Sequence, residues 1–382
     1  MTKKPPRPQL DNFMIAAAGF WAGAMVLPLT LTKGDTLLNA GSLGPLSIIS
    51  FIFVLWLIPK TRLSSVYRSG VLLILSTVIS AAILGAIETK FAGQTGPGFW
   101  AMIFALWAMV WRGIDGLANS RTLNPKKMMF VNVLVPVLFG CWFFFLWEII
   151  VVGFQVPHVL LPPPSMIGAR FMSSLNILEA DFYQTFMKAV LAGYVIGSSS
   201  GFIIAILVDR SDFLKRGLLP IGNLVSALPI VGIAPIMVMW FGFDWQSKAA
   251  VVVIMTFFPM LVNTVSGLNA SGKLERDLMN SYGAGYGQIL LKLRLPAAMP
   301  FIFNALKINS TLALIGAIVA EFFGTPIVGM GFRISTEVGR MNVDMVWAEI
   351  LMAAMAGTAF YGIMALLERM VTFWHPSFRH KN

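Results

Sequence analysis

Long runs without a charge dominate the hydropathy pattern of this chain, and short polar links bearing proline or glycine separate them. An apolar stretch of about 18 residues or more is long enough to cross a bilayer as a helix. Ten runs meet or approach that length, at about 13–32, 42–59, 70–88, 98–111, 129–154, 185–208, 217–241, 249–267, 301–321 and 346–367. The fourth is the weakest, because its run is too short to cover about 30 Å of hydrocarbon at about 1.5 Å per residue. It must borrow from Arg112 to Ala118 or be re-entrant. The pattern predicts an all-α polytopic membrane protein of about ten transmembrane helices.

Composition adds exclusions. Of 382 residues, 57% are apolar and 12% charged, whereas soluble domains carry about 25% charged residues. The single cysteine, Cys141, forbids an intramolecular disulfide, and His158, His375 and His380 have no metal-ligand spacing. There is no G-x-x-x-x-G-K-[ST] loop to cradle a nucleotide. The net charge of +11 reads as a bias of Lys and Arg to one side of a membrane rather than as a nucleic-acid surface. The first run follows Lys3, Lys4 and Arg7 as a signal peptide would, but further spans follow and no small-residue cleavage site is convincing, so a retained helix is expected.

The charges test the span count independently. With ten crossings and a cytoplasmic N-terminus, 20 of the 28 Lys and Arg residues fall in cytoplasmic segments, among them Arg62, Lys126, Arg210, Lys273 and Arg294. Six fall opposite: Lys33, Lys90, Arg170, Lys248, Arg333 and Arg340, with Lys188 and Lys307 at span edges. This asymmetry predicts both termini inside. Omitting the fourth span would destroy it.

Two modules are expected. Residues 1–125 form an N-terminal extension of about four spans without a recognisable motif, and Asn119 to Lys127 is a polar, basic connector. Residues 126–382 carry six spans and every informative feature. The longest polar segment on the cytoplasmic side, residues 268–300, reads LNASGKLERDLMNSYGAGYGQILLKLRLPAAMP. Ser271, with Glu275 and Asp277 behind it, suits a helix start. Gly283, Gly285 and Gly287 break that helix, Gln288 begins another, and Leu295-Pro296 is expected to end it. No strand precedes the glycines, so a phosphate-binding loop is not supported.

This loop resembles the EAA loop of ABC-importer permeases, E-A-A-x3-G-x9-I-x-L-P. Asp277, Leu278 and Met279 occupy the Glu-Ala-Ala positions, Gly283 the glycine, and Leu295-Pro296 the Leu-Pro. The match extends over roughly 128–375. It includes Leu161-Pro162-Pro163-Pro164-Ser165, Gly193-Tyr194-Val195-Ile196-Gly197, Leu228-Pro229-Ile230, Ala234-Pro235, Phe241-Gly242, Phe258-Pro259, Ala320-Glu321 and Gly329-Met330-Gly331. The chain is similar to the branch serving taurine, sulfonates, nitrate and pyrimidine-type nutrients.

The resemblance implies a six-helix type I permease core in the bacterial inner membrane, working by alternating access. Its partners would be a cytoplasmic ABC ATPase dimer, an extracytoplasmic solute-binding protein and a second, identical permease subunit, all in a lipid bilayer and without nucleic acid. No cofactor is expected on this chain. ATP and Mg would belong to the ATPase, and this subunit would hydrolyse nothing. Glu275, Asp277, Leu278, Met279, Gly283, Ala284, Leu295 and Pro296 would couple to the ATPase. Pro229, Pro235 and Glu321 are candidates for the translocation path or gate. The rival class, an ion-coupled secondary transporter, predicts inverted repeats and midplane ionisable groups, and neither is evident.

The remaining features have structural readings. Gly193, Gly197 and Gly201 recur every four residues, which favours close helix packing. Ser198, Ser199 and Ser200 can bond back to their own helix. Glu148 lies near the end of its span, where headgroup water is within reach.

Overall fold

The computed structural model describes residues 12–27, 29–30, 65–87, 93–119, 125–226, 228–324 and 327–374. The expected span at 42–59 lies outside them. The regular elements among the described residues are all helices, apart from one isolated bridge between Thr30 and Thr95. Contacts divide the chain into two compact units, Met1–Met166 and Ile167–Asn382.

The first unit contains α1 (Asn12–Val26), α2 (Ser65–Ala86), α3 (Pro97–Ala118), α4 (Pro125–Gly153) and the start of α5 (Pro164–Ser173). Helix α3 is its centre. Its faces bury Phe99, Met102, Ile103, Leu106 and Met109 against Ala17, Trp21 and Ala24 of α1 and Phe145 and Ile149 of α4. At 22 residues it reaches about 33 Å, so the short fourth run does borrow Arg112 to Ala118. Glu148 accepts hydrogen bonds from the Ser165 amide (2.9 Å) and hydroxyl (2.6 Å). It therefore serves the first turn of α5, where free amide donors need acceptors.

The second unit is built on three long helices. The first runs Leu175–Arg210, as α6 (Leu175–Phe182), a π-helical stretch Tyr183–Val190, and α7 (Leu191–Arg210). After α8 (Asp212–Ser226) and α9 (Ile230–Phe241) comes α10 (Trp245–Asn269). A surface helix, α11 (Lys273–Ser281), precedes the third, which runs Tyr286–Glu321 as α12 (Tyr286–Ile289), a π-helical stretch Leu290–Arg294, and α13 (Leu295–Glu321). Helices α14 (Met330–Gly339) and α15 (Val343–Val371) complete the unit.

Lipid offers no hydrophobic drive for helix association, so close backbone approach does the work. The Gly193–Gly197–Gly201 face of α7 lies directly on α10. A β-carbon would sit 2.6 Å from the Ala249 carbonyl oxygen at Gly193 and 2.7 Å from that of Val253 at Gly197. Asn309 of α13 then bridges both helices, donating to Ser198 Oγ (3.0 Å) and the Thr256 carbonyl (2.8 Å). Behind this seam Phe186, Tyr194, Leu314, Ala317 and Phe360 pack together. The glycine face and Ser198 are thus spent on helix packing, and Ser200 bonds back to the Ile196 carbonyl (2.7 Å).

Several expected boundaries are corrected. The seventh run, 217–241, is two helices, because Pro229 takes an extended conformation and begins α9. The run at 185–208 starts ten residues earlier, at Leu175. The helix that carries Lys307 runs Tyr286–Glu321, and Lys307 pairs with Glu368 at 2.6 Å. Seven helices among the described residues are long and apolar enough to cross a membrane, with Ile15–Ala24 and Ile230–Phe241 as shorter apolar helices.

Candidate functional site: a surface helix tied to the bundle end

The segment 268–300 forms a helical hairpin at one end of the second unit. Helix α11 starts after Gly272, and Glu275 stands in its first turn near the positive end of the dipole. Ser271 is not its cap: its hydroxyl accepts from Arg276 Nε at 2.7 Å. At the other end Gly283 has φ +72°, a conformation that only glycine adopts freely. The Gly283 amide donates to the Asn280 carbonyl (2.9 Å) and that of Ala284 to Met279 (3.0 Å), closing the helix. Gly285 then precedes α12, its amide donating to Gln288 Oε1 at 3.2 Å. Gly287 is already helical, so only two of the three glycines act as breakers.

Leu295-Pro296 does not end the second helix. A proline ring collides with the carbonyl four residues back in an α-helix, and here the π-helical stretch Leu290–Arg294 occupies that turn. The wider winding lets the chain pass Pro296 and continue to Glu321.

Two arginines anchor the hairpin. Arg294 clasps Asp209 with two 2.6 Å bonds and donates through Nε to the Leu268 carbonyl (3.0 Å). Arg276 Nη2 reaches that same carbonyl at 3.2 Å. Leu268 lies in the last turn of α10, where carbonyls lack helical partners and cations are favoured. Asp209 lies in the last turn of α7, an unfavourable place for an acid unless a cation neutralises it. Tyr286 adds a 3.1 Å bond from its hydroxyl to Asp209, and Arg210 lies over its ring at 5.7 Å. The hairpin therefore grips the ends of α7 and α10 while continuing covalently into α13.

Its outward face is unusual. Leu274, Leu278 and Tyr282 are 80%, 55% and 84% exposed; a spacing of four residues puts the two leucines on one stripe of α11, which Tyr282 continues at the C-cap. Glu275, Asp277 and Gly283 are also exposed, whereas Met279, Ala284, Leu295 and Pro296 are half-buried beneath. These eight residues thus lie in one hairpin. Pro229, exposed at the start of α9, and Pro235, half-buried within it, do not join them.

Glu321 lies at the far end of α13, about 52 Å of helix from Tyr286 by rise alone. It accepts from Thr185 Oγ1 (2.8 and 3.0 Å) and the Gly331 amide (2.7 Å). Its neighbour Asp181 accepts from the Gly329 amide (2.6 Å) and Arg333 Nε (2.8 Å). Lys248, 1% exposed, donates to the Phe243 carbonyl at 2.6 Å. Asp209, Tyr286, Thr185 and Asp181 were not legible as site residues. Their partners lie up to 152 residues away in sequence, and the one hint was an isolated acid at the edge of an uncharged run. Among the described residues no group of His, Cys, Asp and Glu is placed to hold a metal ion.

Residues 193–373 match the model of the family described as binding-protein-dependent transport system inner membrane component. The formylaminopyrimidine transport permease protein ThiX of Halalkalibacterium halodurans is 31% identical over 247 residues, covering 64% of this chain and 96% of that protein. A putative aliphatic sulfonates transport permease protein, SsuC of Bacillus subtilis, is 27% identical, covering 61% of this chain and 84% of its own length. The taurine transport system permease protein TauC of Escherichia coli is 24% identical over 58% of this chain and 82% of its own. A multi-pass helical bundle with this match defines a class, the permease subunits of ABC importers. The chain belongs to the binding-protein-dependent transport system inner membrane component family.

Proposed function

We propose that this chain is the transmembrane subunit of an ATP-driven importer of a small organic or oxyanion nutrient, worked by a separate ATPase through residues 271–296. The observation that carries the reading is the exposed stripe Leu274–Leu278–Tyr282 on a surface helix that Arg276 ties to the last turn of α10, in a hairpin that Arg294 clasps to α7. Exposed leucines at successive turns beyond the membrane-crossing length are costly in water unless another protein covers them. An ATPase groove is the occupant that family membership suggests. Closure of an ATPase dimer would move α11, and the Arg294–Asp209 clasp would pass that movement to α7 and α10.

In this reading the hairpin and both termini are cytoplasmic, the Glu321 end faces a solute-binding protein, and two identical permeases form the path. Residues 126–382 act as the permease domain and 1–125 as an added extension. Relatives of this chain are named for transport of a formylaminopyrimidine, aliphatic sulfonates (a putative assignment) and taurine, which suits a small, polar organic solute. The test is co-purification of the ATPase with wild-type permease and with a Leu274→Asp, Leu278→Asp variant. The reading expects the variant to remain folded and lose the ATPase. Retention of both ATPase and uptake would reject it.

A further inference from the structure

Two asparagines of α13 meet opposite surroundings. Asn309 is buried and donates to Ser198 Oγ and the Thr256 carbonyl. Asn304, on the other side of the helix, is exposed, together with Phe301, Ile308, Thr311 and Ile315. Their spacing of three and four residues makes one stripe of them. No charged residue joins it, and Lys307 is turned instead to Glu368 of α15. Neither end of the helix brings water within reach of Asn304. By rise alone it stands about 15 Å past Arg294 and about 26 Å short of Glu321.

A carboxamide facing hydrocarbon is costly, because its two N–H donors and its oxygen lose the partners that water would give. A hydroxyl escapes that cost by bonding its own helix, as Thr311 does to the Ile308 carbonyl (2.8 Å) and Ser266 to that of Val262 (2.8 Å). Asn304 does not. Among the described residues its amide reaches only Asn263 Oδ1 on α10, at a long 3.4 Å. Asn263 in turn donates to the Pro259 carbonyl at 2.8 Å. The exposed side of α7, by contrast, presents Val195, Ile196, Ile203 and Leu207, which is what lipid asks for.

We propose that the Asn304–Thr311 stripe of α13, with Asn263 of α10, faces water and lines the lane through which the solute passes. The paired carboxamides offer donors and acceptors without a charge, so the lane holds a small polar solute by hydrogen bonds rather than by a counter-ion. This inference rests on the importer reading, which supplies the solute; the water-facing stripe stands on the geometry of α10 and α13.

Thiol accessibility tests it. In the full-length permease with Cys141 replaced by serine, single substitutions Asn304→Cys, Thr311→Cys, Ile203→Cys and Leu207→Cys are challenged with a charged methanethiosulfonate, in membranes open on both sides. The thiolate is the reactive form, and apolar surroundings suppress it. Positions 304 and 311 should therefore react at least about tenfold faster than 203 and 207. Rates at 304 and 311 no faster than those at 203 and 207, or a fast reaction at only one of the two, overturn the proposal. So does a disulfide between two copies at 304 in place of labelling, which would seat a second permease on the stripe. The two readings fail separately. An ATPase that never co-purifies rejects the importer reading whatever the labelling, whereas unreactive cysteines beside a bound ATPase reject the lane alone.

Discussion

Replacing Arg294 by alanine removes the one residue that joins the hairpin to both α7 and α10. Asp209, its side chain 3% exposed, is then left as an anion at the negative end of a helix. Removing one partner of a buried pair costs about 3–5 kcal/mol, and the lost bond to the Leu268 carbonyl adds about 1 kcal/mol. At about 1.4 kcal/mol per decade, the docked hairpin loses on the order of a thousandfold in population relative to an undocked one. Lysine keeps the charge but not the two-pronged grip, so Arg294→Lys should lose about 1–3 kcal/mol. The double variant Arg294→Ala, Asp209→Ala should recover part of the loss, because no unpaired charge remains. Hydrogen exchange over 271–290, with ATP consumed per solute imported, reads the effect. Wild-type protection together with wild-type coupling in Arg294→Ala would refute the clasp.

Other expectations follow from the same geometry. Gly197→Ala places a methyl 2.7 Å from the Val253 carbonyl and should cost about 1–3 kcal/mol, read as a lower melting temperature of detergent-solubilised permease. Gly283→Asp meets nothing within 4 Å and strains the backbone by about 1–2 kcal/mol, so it should fold and assemble less well with the ATPase; normal assembly and uptake would argue against docking there. Glu148→Ala withdraws the acceptor of two Ser165 donors and should raise hydrogen exchange at the start of α5, at about 1 kcal/mol. Expressing 120–382 should leave transport per correctly inserted complex intact, and its disappearance despite normal insertion would place the extension in the transport step.

Periodicity and uncharged length were enough to locate the long helices, since lipid demands about 20 apolar residues per crossing. Ser65–Ala86, Trp245–Asn269 and Val343–Val371 each lie where an apolar run does. The same signal failed at 217–241, where mean hydropathy is indifferent to the Pro229 break, and at Pro296, where a π turn absorbs a residue that reads as a stop. The loop was legible through the spacing of Gly283 and Leu295-Pro296, which is local. Its anchorage was not. Asp209 and Arg294 are 85 residues apart, and the Leu268 carbonyl has no side-chain signature at all.

Site-specific cross-linking tests the central claim most directly. With the exposed Cys141 replaced by serine, single cysteines at Leu274 or Leu278 are challenged with a short cross-linker in membranes containing the ATPase, and Val338 on α14 serves as the comparison. The account predicts a permease–ATPase product from 274 and 278, altered by ATP, and none from 338. A product from 338 with none from 274 or 278 would contradict it.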